Sequence, residues 1–308
     1  MQIYLPIAEL SVNLFFLIGT GAVVGFLSGL FGVGGGFLIT PLLIFNGIPS
    51  SVAVASVTAQ VVAASTSGAQ SYYRRGAIDF HLAAFLIAGG LVGSFLGVMT
   101  FNALNSAGQL DLVISLAYFF FLGAVGSLML VESIRSLLQQ RKGVVRPTHL
   151  PGQHSWVQLL PFRVRFKKSK LYISVIPVMG IGLSIGYLGA LLGIGGGFIL
   201  VPALVYILRV PGNVVIGTSL LQVLAIMATT TFLYAVNSQN VDILLAFCLM
   251  VGSVAGAQFG AAAGQRLRGE QLRALLGLIV LAVALRFAYS LIVAPNDPFS
   301  LVTQLGLI

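Results

Sequence analysis

The sequence predicts an all-α polytopic membrane protein. It reads as two inverted repeats of about five hydrophobic segments each, with a short or broken helix after each triple glycine. Three observations predict this. First, of 308 residues 58% are hydrophobic and 7% are charged, with a mean hydropathy of +1.03. A soluble domain carries roughly 25% charged residues, so lipid must be the solvent for most of this chain. Second, a long stretch of sequence occurs twice. Third, positive charge is concentrated. Arg135, Arg141, Lys142, Arg146, Arg163, Arg165, Lys167, Lys168 and Lys170 fall in one interval, out of 16 Lys and Arg in all. The net charge of +9 is therefore read as a cytoplasmic loop under the positive-inside rule and not as a nucleic-acid surface.

The repeat sets the organisation. GFLSGLFGVGGGFLITPLLIF begins at Gly25 and GYLGALLGIGGGFILVPALVY at Gly186, an offset of 161 that holds through Pro41 and Pro202. After a one-residue slip, the run from Pro49 matches that from Pro211, Ser56 matches Thr218, and Gln60 matches Gln222. One further slip aligns Ile78-Asp79-Phe80 with Val241-Asp242-Ile243, and Gly89, Gly93 and Gly97 with Gly252, Gly256 and Gly260. The expected units are a first transmembrane repeat over 1–134, a basic cytoplasmic linker over 135–170 without a counterpart, and a second repeat over 171–308. The 154–170 stretch mixes apolar and basic residues. It is either a solvated connector or a contact with anionic lipid, where each basic residue contributes about 1 kcal/mol. The first apolar segment follows Glu9 and lacks a basic lead, so it reads as a retained span.

Apolar segments are expected over about 10–32, 36–47, 52–73, 80–101 and 110–134, and again over about 172–193, 197–209, 213–236, 243–264 and 271–293. Four of each five approach the roughly 20 residues that cross a bilayer. The second of each is too short, so it either pairs with its neighbour as a re-entrant loop or crosses as a broken span. Arg209, at the end of the short segment in the second unit, favours crossing. Arg74 and Arg75 place the third loop of the first unit inside, whereas its counterpart Asn237–Asn240 is uncharged. The fourth loop of the first unit is uncharged, whereas its counterpart carries Arg266, Arg268 and Arg273. Corresponding loops therefore lie on opposite faces, as in inverted-repeat transporters. The expectation is a multi-pass protein of the cytoplasmic (inner) membrane with both termini non-cytoplasmic.

The candidate chemistry follows from the repeat. Gly34, Gly35, Gly36 and Gly195, Gly196, Gly197 disfavour a continuous helix. A break near mid-membrane frees backbone N–H groups and aims a positive helix end at them, which suits an anion; close helix packing through small residues is the alternative. No Lys-Ser/Thr pair follows the glycines, so they do not form a nucleotide loop. The next segment in each unit carries Ser56, Thr58 and Gln60, or Thr218, Ser219 and Gln222. Ser and Thr can bond their own preceding turn. A buried glutamine needs several partners, so the two glutamines are expected to face a polar cavity. Arg286 is the one basic residue deep in a segment. It either snorkels outward or serves the site. Asp79 and Asp242 are expected to cap the following helices. No carboxylate sits clearly at mid-membrane. Cys248 is alone, and His81, His149 and His154 have no metal-ligand spacing. The expectation is therefore no enzyme activity, no metal and no cofactor.

The stretches Gly32–Pro41 and Gly193–Pro202, and the run Val214–Leu220, resemble the TauE/SafE sulfite exporter family over nearly all the chain except the linker. The resemblance implies a permease for sulfur-containing anions such as sulfite, thiosulfate or small organosulfonates. Carried over by residue, it points to Gly34–Gly36, Pro41, Gly195–Gly197, Pro202, Thr218 and Ser219. The first unit departs from it, with Ala55-Ser56-Val57-Thr58 where the family segment reads Gly-Thr-Ser-Leu. The functional expectation is a secondary transporter of small anions working by alternating access, with one unit rocking against the other. An anion channel, or a membrane enzyme or assembly factor, is the alternative.

Overall fold

A computed structural model describes residues 2–31, 35–141, 161–166, 168–169, 171–208, 212–264 and 269–292. The expected positions Gly34, Arg209, Arg266, Arg268 and most of the linker (142–160) lie outside the described residues, as does 293–308.

Each half of the chain begins with a small antiparallel hairpin and continues into helices. In the first half, β1 (Gln2–Leu5) and β2 (Leu10–Asn13) precede α1 (Leu14–Phe31), α2 (Gly36–Phe45), α3 (Ser50–Arg74), α4 (Phe80–Ser106) and α5 (Leu110–Arg141). In the second, β3 (Arg163–Phe166) and β4 (Leu171–Ser174) precede α6 (Val175–Leu192), α7 (Gly197–Tyr206), α8 (Gly212–Leu233), α9 (Ile243–Gly264) and α10 (Gly269–Ile292). The protein is thus an all-α polytopic membrane protein apart from the two hairpins. The hairpins obey the same 161-residue offset: Gln2 pairs with Asn13 as Arg163 pairs with Ser174, and Leu5 pairs with Leu10 as Phe166 pairs with Leu171. The first strand of the second hairpin, β3, lies within the expected linker 135–170, and β4 opens the expected second repeat.

A π-helical turn, Tyr234–Ser238, continues α8. Such a turn holds one residue more than the α-helical path it replaces. It falls between Gln222 and Val241, the interval in which the repeat offset grows by one. The second slip in the alignment therefore has a structural cause.

Helix directions follow from the contacts. Thr58 meets Thr231, and Gly68 meets Leu220, so α3 and α8 are antiparallel. Gly21, Gly25 and Gly29 of α1 lie on Leu249, Ser253 and Ala257, so α1 is parallel to α9. Gly89, Gly93 and Gly97 of α4 lie on Met179, Leu183 and Tyr187, so α4 is parallel to α6. In both seams a Cβ on the glycine would meet facing backbone. Only small residues let membrane helices approach this closely.

The connections fix the path. The end of α3, the start of α4, the start of α6 and the start of α8 share one face, held there by contacts of Asp79 with Ser169 and Thr218. This face carries Arg74 and Arg75 and is called the basic face. The starts of α1, α3, α5 and α9 share the opposite face, where Ile7 and Ser56 meet Asp242 and Ser50 meets Asp111. Consequently α2 returns to the face from which α1 set out, and α7 to the face from which α6 set out. The ten residues of α2 and of α7 span about 15 Å, half of a hydrocarbon core. Both short segments turn back along the preceding helix, the path of a re-entrant pair; Arg209, which favoured a crossing, lies outside the described residues. Among the described residues, seven helices are long and apolar enough to cross a membrane: α3, α4, α5, α6, α8 with the turn that follows it, α9 and α10.

Helix pairing is exchanged between the halves. α1 and α3 pack with α9, while α6 and α8 pack with α4; α2 lies on α3 and α1, α7 lies on α8 and α6, and α5 and α10 pair with each other. The pattern is unchanged when the halves are interchanged. Each half thus lends one helix to a bundle built around the other's first three helices.

Candidate functional site

Two buried carboxylates hold the exchanged helices. Asp79 precedes α4 and accepts from Leu82 N (3.2 Å), as an N-cap does. Its other oxygen accepts from Ser169 N (3.0 Å) and Ser169 Oγ (2.8 Å), in the turn of the second hairpin. Its own N–H donates to Thr218 Oγ1 (3.1 Å). Asp242 repeats this at the start of α9: it accepts from Leu245 N (3.1 Å) and Ile7 N (3.1 Å), and its N–H donates to Ser56 Oγ (2.9 Å). Each carboxylate therefore ties one helix to a bundle of the other half. Ser56 and Thr218, expected at the binding site, are acceptors in these ties.

The glycine segments meet at the centre. α6 closes with Gly193 in the left-handed region (φ +68°), its N–H bonded to Gly189 O (3.0 Å). Gly195 (φ +72°) and Gly196 (φ +70°) stay left-handed before α7 starts at Gly197. L-residues with a side chain avoid this region by roughly 1–2 kcal/mol each, so glycine is what permits the break. Gly36, at the start of α2, lies against Gly193 and Ile194: a Cβ there would sit 2.7 Å from Gly193 O and 2.6 Å from Val61 Cγ2. Phe37 and Phe198, repeat-related and one residue into the two short helices, stack with centroids 4.6 Å apart and planes at 8°. The positive ends of both half-helices are therefore brought together. The first intrahelical bonds of α7 run from Ile199 N and Leu200 N to Gly196 O, so the amides of Gly197 and Phe198 precede the ladder.

α3 and α8 cross this centre. Val61 contacts both glycine segments, and Val223 approaches Gly195. Beside them, Gln60 and Gln222 are fully buried, and neither amide oxygen nor amide nitrogen has a hydrogen-bond partner. Given the antiparallel pairing, the two glutamines stand about 10 Å apart along the helices, one on each side of the centre. An unmet buried polar atom costs about 1–3 kcal/mol, and here four are left open by two repeat-related residues.

The remaining expected residues divide. Thr58 donates to Ala55 O (2.6 Å) and lies 2.9 Å from Thr231 Oγ1; Ser219 donates to Val215 O (2.8 Å). Gly35 packs near Val24 and Ser28 in front of α2. Arg286 is not brought to the centre. It is exposed on α10, its guanidinium 5.4 Å from the rings of Phe45 and Tyr289. Thr231 and Ser65 were not singled out from the sequence. Thr231 bridges the crossing, and Ser65 is buried with its hydroxyl unpartnered. Only the repeat could have pointed to the Asp79 and Asp242 ties, by matching each carboxylate and each hydroxyl across the halves.

The sulfite exporter TauE/SafE family model matches residues 17–287. The chain is 28% identical over 267 residues to the probable membrane transporter protein YjnA of Bacillus subtilis (strain 168), covering 86% of this chain and 96% of that protein. It is 31% identical over 277 residues to a probable membrane transporter protein of Xylella fastidiosa (strain 9a5c), covering 89% and 94%. A second Bacillus subtilis protein, the probable membrane transporter protein YunE, is 23% identical over 283 residues, covering 89% and 96%. No solved structure matches. With its broken helices, its membrane-crossing helices and a family match over most of its length, the chain belongs to the TauE/SafE sulfite exporter family of membrane transporters.

Proposed function

We propose that the protein is a secondary transporter that binds one small anion, of the sulfur oxyanion or sulfonate class, between Gln60, Gln222 and the opposed starts of α2 and α7. The observation that carries this is the pair of buried glutamine amides without partners beside the glycine breaks. Their N–H groups and the first-turn amides of the short helices are donors, and helix N-termini favour negative charge. No lysine or arginine is among these groups, so the anion would be held by neutral dipoles and could leave again. Gly34 is included by sequence continuity, and Ser56, Thr58, Thr218 and Ser219 support the helices that present the amides.

Alternating access then has a different hinge from a rocking of the chain's two halves. Such rocking would tear open both glycine seams. The bodies that can move are the bundle of α1, α2, α3 and α9 and the bundle of α6, α7, α8 and α4, with α5 and α10 beside them. Between the bundles lie the α3–α8 crossing, the Phe37–Phe198 stack and the proposed site. The Asp79 and Asp242 ties are internal to a bundle and would persist. The basic face is assigned to the cytoplasm by the positive-inside rule, in the cytoplasmic membrane. That puts the 142–160 linker inside and the ends of the described chain outside, with the 154–170 stretch near anionic headgroups.

The test is uptake of sulfite, thiosulfate, a sulfonate and acetate into proteoliposomes of the full chain. Saturable uptake with counterflow for a sulfur anion, abolished in Gln60→Met/Gln222→Met, supports the reading. Unitary currents in place of counterflow, or a double variant that transports normally, would overturn it.

A further inference from the structure

Below Gln60 towards the basic face, α3 carries a second set of polar side chains that the central site does not use. Ser67, Gln70, Ser71, Arg74 and Arg75 line one concavity of about 340 Å³. Gln60, Ala64, Ser67, Ser71 and Arg74 follow one another at spacings of four, three, four and three residues, so they form one line along the helix. The line is about 21 Å long. Because Gly68 meets Leu220 across the crossing, Ser67 stands at the level of Gln222. The polar stretch of this line, Ser67 to Arg74, therefore starts at the level of Gln222 and ends at two arginines. The same face gains a further positive charge from Lys168, whose ammonium donates to Gly76 O (3.1 Å). No carboxylate lines the concavity among the described residues.

Among the described residues, the counterparts in the second half are mostly apolar or uncharged. At the 162-residue offset Ser67 and Gln70 correspond to Thr229 and Phe232, and Arg74–Arg75 fall opposite the Val236–Asn237 segment of the π turn. Phe232 and Val236 are 66% and 59% exposed and apolar. The positive-inside rule accounts for arginines at the end of α3. It does not account for hydroxyl and amide side chains along the two turns beneath them, nor for a concavity there.

We propose that this concavity is a one-sided anion vestibule. Arg74 and Arg75 collect a small oxyanion at the basic face, and Ser71, Gln70 and Ser67 pass it to Gln60 and Gln222. The proposal rests on the central-site reading for its destination, but the vestibule can be probed without it. An oxyanion here could be a free anion or a lipid headgroup phosphate; we assign the free anion.

The experiment uses the full chain with Cys248→Ala and Ser71→Cys, reconstituted in phosphatidylcholine vesicles. The modification rates by an anionic sulfonatoethyl thiosulfonate and by a cationic trimethylammonium thiosulfonate are each normalised to a free thiol in solution. The vestibule predicts that the anionic reagent is favoured by about tenfold, in the range of electrostatic focusing by a charged cleft. The preference should shrink in 1 M salt, fall to near one in Arg74→Gln/Arg75→Gln, and remain in Arg74→Lys/Arg75→Lys. It should be unaffected by Gln60→Met/Gln222→Met, which separates this proposal from the central site. A ratio near one in the parent overturns it. Adding phosphatidylglycerol should leave the preference in place; its collapse there would mean a headgroup occupies the groove, and that also overturns the assignment.

Discussion

Replacing Gln60 and Gln222 by methionine should make the protein more stable and worse at binding its anion. Methionine keeps the length of the side chain and removes both polar atoms. In the structure those atoms are buried and unpartnered, so their removal relieves a desolvation cost of about 1–3 kcal/mol for each unmet group. Part of this is lost because polar groups of an unfolded membrane chain also find partners. The expected gain is roughly 1–3 kcal/mol per site. Binding moves the other way, because a hydrogen bond to a charged group is worth about 1.5–3 kcal/mol. Its loss weakens affinity roughly 10- to 150-fold. The assay is thermal unfolding of detergent-purified protein with sulfite titrated over several decades. Each variant should unfold at a higher temperature without sulfite and respond less to it. Ser219→Ala is the control: its hydroxyl is already bonded to Val215 O, so its sulfite response should stay within about twofold of the parent. Variants that unfold earlier and still respond to sulfite like the parent would refute the reasoning, since the amides would then be holding the fold.

Gly196→Ala places a side chain at φ +70° against Ile185, and should cost about 1–2 kcal/mol from the backbone alone, read as a lower unfolding temperature together with loss of uptake. Asp79→Ala removes three bonds to a buried carboxylate and Asp242→Ala removes two. Both should destabilise by about 1.5–3 kcal/mol per bond at most, Asp79→Ala the more, as measured by unfolding midpoints; equal midpoints with the parent would remove the ties from the account. A disulfide between Phe37→Cys and Phe198→Cys in a Cys248→Ala background should stop counterflow and release it on reduction, because these positions belong to different bundles; full counterflow while oxidised would argue against movement there.

Much of this architecture was legible. The membrane class follows from composition, and the break before α7 from Gly195 and Gly196, whose left-handed backbone disfavours a side chain. The repeat offset was legible too, down to a slip that the structure absorbs in the π turn at Tyr234–Ser238. Which helix packs on which was not legible. Helices such as α1 and α6 are apolar on every side, so no amphipathic stripe announces a partner. The exchange of α4 and α9 between bundles emerges only from the seams at Gly93 and Gly25. The hairpins were missed because four-residue strands beside long apolar runs carry little signal of their own, although Leu5 and Phe166 sit at the repeat offset. The burial of Gln60 and Gln222 without partners is the feature that the sequence could flag, because a buried amide demands partners. The roles of Ser56 and Thr218 were not readable, since a hydroxyl can serve a ligand, its own turn or, as here, a neighbouring backbone N–H. The depth of Arg286 in its segment left snorkelling and a role in the site both open; its direction around α10 places it over Phe45 and Tyr289.

The account depends on an anion meeting the amides of Gln60 and Gln222 and the starts of α2 and α7. Anomalous diffraction from crystals of the protein grown with selenite, a heavy mimic of sulfite, tests this most directly. The account predicts a selenium peak within hydrogen-bond distance of at least one of the two glutamine nitrogens and of the Gly197 or Phe198 backbone N–H. A selenium peak elsewhere, with these amides still unpartnered, would contradict it.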